Sequence, residues 1–338
     1  MNSGIYLFSQ ITDFLPKRYF ERLVMTRCND RTQRWDLTYW NQMLVLMFGQ
    51  LDGCNSLREL IDITTAHAKK SFHLGFGRTP INRTQLSRVN QLRDYHIFEE
   101  FAYHMVELAQ KKRIDQEFEL NGKYYAFDST TIDLCMSLFE WARFISTKSG
   151  IKLHTQLDIV TQIPVSFNIT EAAVHDVNAM DWINYEPFAC YIFDRGYWDL
   201  DRLYRIEMLN SFFVIREKRT FTYYTNNFFL KAKDIAFLYK NRWAVETFFK
   251  WMKGHLRIKS FWGNTENAVR IQIYVAIVTY CTVAIIERTL ELNRSIYEVM
   301  RILGSSLLTK DNNRDLFQPV EVEQTQDDGQ LQLEFDAR

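Results

Sequence analysis

Two aspartates in this chain of 338 residues close apolar, β-rich runs: Asp128 follows Tyr124-Tyr125-Ala126-Phe127, and Asp194 follows Tyr191-Ile192-Phe193. A lone aspartate at a strand end is commonly a turn former or helix cap, and Asp194 before Arg195-Gly196 fits that description. Two of them on neighbouring central strands, ~4.8 Å apart, can do more, because carboxylates so placed can share a hard divalent cation. A third acid comes from the segment 234–255, which reads as one periodic helix. At about 100° per residue, Arg242, Glu246 and Lys253 all fall within roughly 60° of Tyr239 on the helix surface. Leu238, Val245, Phe249, Met252 and Leu256 form the apolar side, so the polar stripe is expected to look outward. Ion pairs at (i, i+4) would account for a solvated surface helix. They do not account for a tyrosine and two cations aligned with one acid over four turns.

The elements that must hold these residues follow from periodicity. Residues 123–134, 152–160 and 164–169 are β-rich runs in quick succession, the last two joined only by Thr161-Gln162-Ile163, as in an antiparallel meander. A helix is expected over Asp176–Asn184, then a buried parallel strand at Cys190–Phe193, a helix at Leu200–Met208 and another strand at Phe212–Ile215. The order matches an α/β fold of ribonuclease-H-like type, a mixed sheet of three antiparallel strands followed by parallel ones. Of the other polar residues, Asp133, Asp158, His175 and Asp176 read as caps or edge residues, and His154 as structural.

Before residue 119 the chain reads as helical throughout: Phe20-Leu23-Val24, Met43-Leu44-Met47-Phe48-Leu51 and Phe98-Phe101-Ala102-Met105-Val106-Ala109 repeat at three and four. Pro16 suits a first helical turn, and Asn55 or Ser56 a cap. Within it, 78–93 carries Arg78, Arg83, Arg88 and Arg93 and no acid, which suits either a DNA-facing helix or an ordinary solvated one. The division expected is a helical N-terminal region at 1–118, an α/β domain with C-terminal helices at 119–317, and an acidic, disordered tail at 318–338; the family resemblance given below implies DNA binding for the first and catalysis for the second.

Composition limits the classes of function. With 47% hydrophobic and 24% charged residues, 12 Gly and 5 Pro, this is a globular chain. It has 41 bases and 41 acids. Six acids and one base lie in 318–338, so the remaining body is positive by about five charges, a balance that permits a nucleic-acid partner without requiring one. The five cysteines are scattered without C-x-x-C pairing, which argues against a disulfide framework or a thiolate zinc site and for a reducing compartment. The N-terminus has no basic and apolar signal-peptide pattern. The apolar run 271–286 is short of the ~20 residues needed to span a membrane, so a buried core helix is expected there.

The spacing Y-x2-R-x3-E-x6-K, realised as Tyr239, Arg242, Glu246 and Lys253, resembles the YREK signature of a large branch of bacterial insertion-sequence DDE transposases. The block Asp194-Arg195-Gly196-Tyr197 resembles that branch's second-aspartate motif, and YAFDSTTIDL around Asp128 resembles its first. The resemblance extends from about residue 2 to 316. It implies two-metal phosphoryl transfer: Asp128, Asp194 and Glu246 as catalytic residues holding two Mg²⁺ ions, with Mn²⁺ able to substitute, and Tyr239, Arg242 and Lys253 gripping phosphates of the transposon end. It also implies double-stranded DNA partners (terminal inverted repeats and target DNA), a homodimer on DNA, no membrane, and a bacterial cytoplasmic, nucleoid-associated location.

One departure from the pattern stands out. A β-rich insertion commonly separates the last core strand from the helix with the glutamate, whereas here Arg216-Glu217-Lys218-Arg219 alone lead to the next strand-like run, Thr220–Thr225. The two runs are expected to pair as a hairpin. The shortened connection favours an alternative, a transposase-derived DNA-binding protein with impaired catalysis; a host nuclease of the same fold is a third reading.

Overall fold

The computed structural model describes residues 4–28, 37–114, 118–145, 148–217, 222–254, 258 and 260–318. The first region is helical as expected, with α1 Leu7–Thr12, α2 Lys17–Arg27, α3 Tyr39–Asp52, α4 Leu57–Ala66, α5 Arg83–Leu92 and α6 His96–Arg113. Local chemistry sets several of the ends. Thr38 and Asn41 form a capping box at the start of α3, and Gly53 closes that helix in the left-handed conformation at φ 80°. Ser56, rather than Asn55, caps α4 by accepting from the Glu59 amide.

The sheet follows: β1 Tyr124–Leu134, β2 Arg143–Ile145, β3 Lys148–Asp158, β4 Pro164–Glu171, β5 Cys190–Phe193, then α7 Leu200–Met208, β6 Phe212–Arg216 and β7 Tyr223–Thr225. Strands β1, β3 and β4 pair antiparallel, and β1, β5 and β6 pair parallel. This is a mixed α/β sheet with the order of directions expected from the sequence. The meander turn is pinned by Asp158, whose carboxylate accepts from the Val160 amide and the Thr161 hydroxyl, so it is a turn former. β6 and β7 pair as a hairpin, Ile215 opposite Tyr224, as expected; residues 218–221 lie outside the described residues. β2 was not anticipated, because three residues are too short to carry a periodicity.

After β7 come α8 Ala232–Asn241, α9 Trp243–Gly254, α10 Glu266–Thr289 and α11 Ile296–Ser305. Side chains alternate across the sheet, so Tyr124, Ala126, Cys190, Ile192 and Val214 face one core, shared with the N-terminal helices and α8–α11. Tyr125, Phe127, Tyr191, Phe193 and Ile215 face a smaller core under α7 and the short helices at 176–182 and 195–197. α10 packs against α3, α5 and α6. It is long and apolar enough to cross a membrane, but 94% of its apolar window is buried inside the fold. Its polar residues are paired internally: Gln50 Nε2 donates to the Gln272 carbonyl at 2.9 Å, and Thr279 donates to Gln50 Oε1 at 3.1 Å.

One expectation is refined and two need correction. The helix expected over 176–184 is of 3-10 type and ends at Trp182. The helix expected over 234–255 is two helices, because the amides of Arg242 and Val245 bond three residues back, to Tyr239 and Arg242, and tighten the chain at Arg242. The arginine series of 78–93 is not one surface. Arg93 is buried and donates to Gln42 Oε1 at 2.8 Å, while Asn90 accepts from Gln42, so two of its polar residues hold the helical core together. The acidic tail from 319 onward lies outside the described residues.

Candidate active site

Register decides where the two aspartates point. Phe127 and Phe193 are partners on adjacent parallel strands, so Asp128 and Asp194 follow them side by side, Asp128 within β1 where its pairing with β5 stops and Asp194 just past the end of β5. Both have the same parity as Ala126 and Ile192, and therefore face the side of the sheet on which α8 and α9 pack. The polar stripe of those helices meets them there instead of looking outward. Tyr239 and Arg242 are buried, which corrects the solvent-facing expectation.

The contacts are direct. Arg242 Nη1 donates to Asp128 Oδ2 at 2.9 Å, and its Nη2 donates to Glu246 Oε1. The Tyr239 hydroxyl donates to Asp194 Oδ1 at 3.2 Å. Burial raises the Tyr239 hydroxyl above its ordinary range, so the phenol remains a donor. Lys253 Nζ sits at the edge of the group and donates to the carbonyl of Thr131 on β1 at 2.7 Å. Asp128, Asp194, Tyr239, Arg242 and Glu246 thus meet in one place, and Lys253 contacts β1 three residues further on from Asp128.

The electrostatics are those of a site short of positive charge. Burial pushes the Asp128 carboxyl up to about 6; Arg242 and the Ser129 amide oppose the rise, and Asp194 and Glu246 add to it. Among the described residues no three His, Cys, Asp or Glu side chains close on a common point, and the Arg242 guanidinium links Asp128 to Glu246. The donor set still suits a hard divalent cation: carboxylate oxygens only, partly buried, with charge to spare despite the guanidinium.

Behind β1 lies a second polar group whose members are far apart in the chain. Ser129 has the opposite parity to Asp128; its hydroxyl donates to Asp176 Oδ1, which also pairs with Lys152 Nζ at 3.1 Å. Asp176 is therefore more than a cap: it ties the part of β1 that carries Asp128 to Lys152 of β3. The available signal was Ser129 itself, a polar residue on the strand's other face beside a candidate ligand. His154 is buried and bonded to Thr170 Oγ1 at 2.9 Å, and Asp133 is exposed.

Comparison with known proteins points to transposases. Residues 122–282, which contain the sheet ends, α8 and α9, match the family described as Transposase DDE domain, and residues 3–77 match a domain of unknown function, DUF4372. A Sinorhizobium fredii protein described as a candidate transposase is 29% identical over 242 residues, covering 56% of this chain and 67% of that protein. A Geobacillus stearothermophilus protein assigned to insertion sequence element IS5377 is 26% identical over 203 residues, covering 45% of this chain and 54% of that one. A Synechocystis protein assigned to element IS4SA is 24% identical over 275 residues, covering 68% and 79%. The piggyBac transposase synaptic complex with hairpin DNA aligns over 96% of this chain and 88% of that chain at 12% identity and a TM-score of 0.45, too distant to carry any argument. The matched domain and these relatives support a DDE transposase of the insertion-sequence kind.

Proposed function

We propose that this chain is a transposase of the YREK branch with a ribonuclease-H-like catalytic core, which binds the terminal inverted repeats of an insertion sequence as a homodimer and cuts and joins DNA strands in a metal-dependent reaction. The observation that carries this reading is the meeting of Asp128 and Asp194, from the adjacent strands β1 and β5, with Tyr239, Arg242 and Glu246 from α8–α9. Asp128, Asp194 and Glu246 are the residues that would hold divalent ions, Mg²⁺ or Mn²⁺. Such ions would supply the positive charge that activates a water or a 3′-hydroxyl and stabilises the leaving oxygen.

The chain's own residues do the rest. Arg242 holds Asp128 and Glu246 against each other's repulsion, and its planar fork suits bidentate contact with a phosphate. Tyr239 fixes the Asp194 carboxylate. Lys253, at the edge, meets the DNA backbone as a point charge. The alternative, a DNA-binding derivative with impaired catalysis, draws on the tight hairpin between β6 and β7, where the Glu217 amide already bonds the Thr222 carbonyl at 2.9 Å.

The test is incubation of the purified chain with a duplex carrying the DNA that flanks its gene, with and without Mg²⁺. Metal-dependent nicking at the repeat ends supports a transposase. Tight binding without nicking, in either Mg²⁺ or Mn²⁺, would leave the DNA-binding derivative.

A further inference from the structure

Helix α7 carries two apolar faces, and the fold uses one of them. Leu203 and Ile206 are buried in the smaller core. Leu200, Tyr204 and Met208, spaced by four, form a second row roughly 130° round the helix, and they are 69%, 61% and 64% exposed. At the C-terminal end of the row the Phe188 amide donates to the Asn210 carbonyl at 2.7 Å, which brings a further exposed ring to that end. An unpartnered helix face of this kind forgoes apolar burial unless something packs on it.

The charges beside the row select the partner. Asp201 and Arg205 flank it on one side and Glu207 on the other, so the face offers neither sign in excess to a phosphate backbone or to a strongly charged peptide. Arg205 reaches Asp181 through Nη1 at 3.2 Å, and its side chain remains 64% exposed. A second copy of the same helix fits both features. If the two helices pack antiparallel about a two-fold axis at Tyr204, Leu200 of each meets Met208 of the other, and Asp201 of each lies beside Arg205 of the other. The flank is thus self-complementary, as a two-fold interface requires. The row and Phe188 offer about 500 Å² per copy, so a pair would bury on the order of 1,000 Å², at the lower end of specific interfaces.

We propose that α7 is a self-association surface, through which two copies of this chain pair by the row Leu200, Tyr204 and Met208 with Asp201–Arg205 ion pairs across the axis. The proposal deepens the homodimer of the functional reading and rests on that reading for its purpose. α7 covers the smaller core, on the face of the sheet opposite α8 and α9, so the pairing leaves both carboxylate sites open.

Sedimentation of the full chain without DNA or metal tests it. The wild type is expected to pass from monomer to dimer between about 1 and 100 µM, as an interface of this size implies. Tyr204→Asp sets like charges at the axis and should weaken the dimer at least about ten-fold, with the far-ultraviolet circular dichroism unchanged because the ring stands in solvent. Asp201→Arg should also weaken it, and adding Arg205→Asp in the same chain should restore it. A wild type that stays monomeric throughout overturns the proposal, as does a Tyr204→Asp dimer as tight as the wild type. A double variant no tighter than Asp201→Arg overturns the antiparallel pairing. If Tyr204→Asp does not fold, Leu200→Glu takes its place with the same expected loss and the same overturning result. Failure of the two proposals is distinguishable: a chain that dimerises through Tyr204 but never nicks DNA in Mg²⁺ loses the cleavage reading alone, and one that nicks while Tyr204→Asp dimerises like the wild type loses the α7 interface alone.

Discussion

Arg242 Nη1 lies 2.9 Å from Asp128 Oδ2, joining two residues 114 positions apart in the chain, and the same guanidinium holds Glu246 one helical turn further on. One cation thus offsets the mutual repulsion of carboxylates brought together from a strand and a helix. The arrangement makes Arg242 a structural member of the site as well as a candidate phosphate ligand.

Arg242→Ala should therefore destabilise the fold by roughly 2–4 kcal/mol, at the lower side of what a lost buried ion-pair partner costs. The side chain of Glu246 is 32% exposed, which tempers the loss. Adding Mg²⁺ should raise the melting temperature of the variant more than that of the wild type, since a cation can take over the neutralising role. A urea midpoint that moves by only a few tenths of a kcal/mol equivalent would mean the guanidinium is not needed there.

Asp128→Asn, Asp194→Asn and Glu246→Gln should each abolish Mg²⁺-dependent nicking while the far-ultraviolet circular dichroism stays that of the wild type. Each swap keeps shape and removes the charge that binds a hard cation. Asp128→Asn has a further signature. Burial holds that carboxyl up at about 6, so its ionised form at neutral pH costs stability, and the amide should melt no lower than the wild type at pH 7. Nicking at the wild-type rate in any of the three variants removes that residue from the site.

Much of this was legible in the sequence because it rests on short-range periodicity. The runs ending in Asp128 and Asp194, the boundaries of Cys190–Phe193 and Leu200–Met208, and the spacing from Tyr239 to Lys253 all follow from alternation or from 3.6-residue repeats. What could not be read was partnership across the chain. A wheel drawn through 239–253 gives a common stripe but not the neighbour it faces, so the stripe looked solvated until the parity of β1 and β5 brought the carboxylates to it. Asp176 and Ser129 meet only because the 3-10 helix at 176–182 covers the face of the sheet to which Ser129 points, a relation with no local signature. Arg93 misled for the same reason: its partners, Gln42 and the Leu37 carbonyl, lie more than 50 residues away.

Lys253 makes a separable contribution. Its ammonium donates to the Thr131 carbonyl, so Lys253→Ala should cost about 0.5–1.5 kcal/mol in stability. Its effect on DNA should be larger in kind: if it meets one phosphate, the log-log dependence of binding on salt should flatten by about one unit, across specific and non-specific duplexes alike. A slope identical to that of the wild type would remove Lys253 from the phosphate contacts.

His154 gives the fold an acid weakness independent of the carboxylates. Its ring is 1% exposed, packs edge to face on Trp182 with centroids 5.4 Å apart, and keeps Nδ1 buried without a hydrogen-bond partner among the described residues. Burial pulls its pKa down from 6.5 to about 4, with Asp176 pulling the other way and Lys152 adding to the fall. Between those values the unfolded chain binds a proton that the folded chain refuses, so stability is complete above about pH 6.5 and is lost as pH falls toward 4, by roughly 3 kcal/mol over the window. Asp128 runs with the opposite sign over an overlapping range, since its carboxyl is raised, so the wild-type curve alone is ambiguous. The difference between wild type and His154→Gln removes that common contribution: the variant, lacking a group to protonate, should close the stability gap as the solution is acidified and overtake the wild type if its starting loss is smaller than that amount. Urea unfolding of both chains from about pH 7 to about pH 4 measures the gap, and a gap that stays constant would show that the imidazole is not held neutral by the fold.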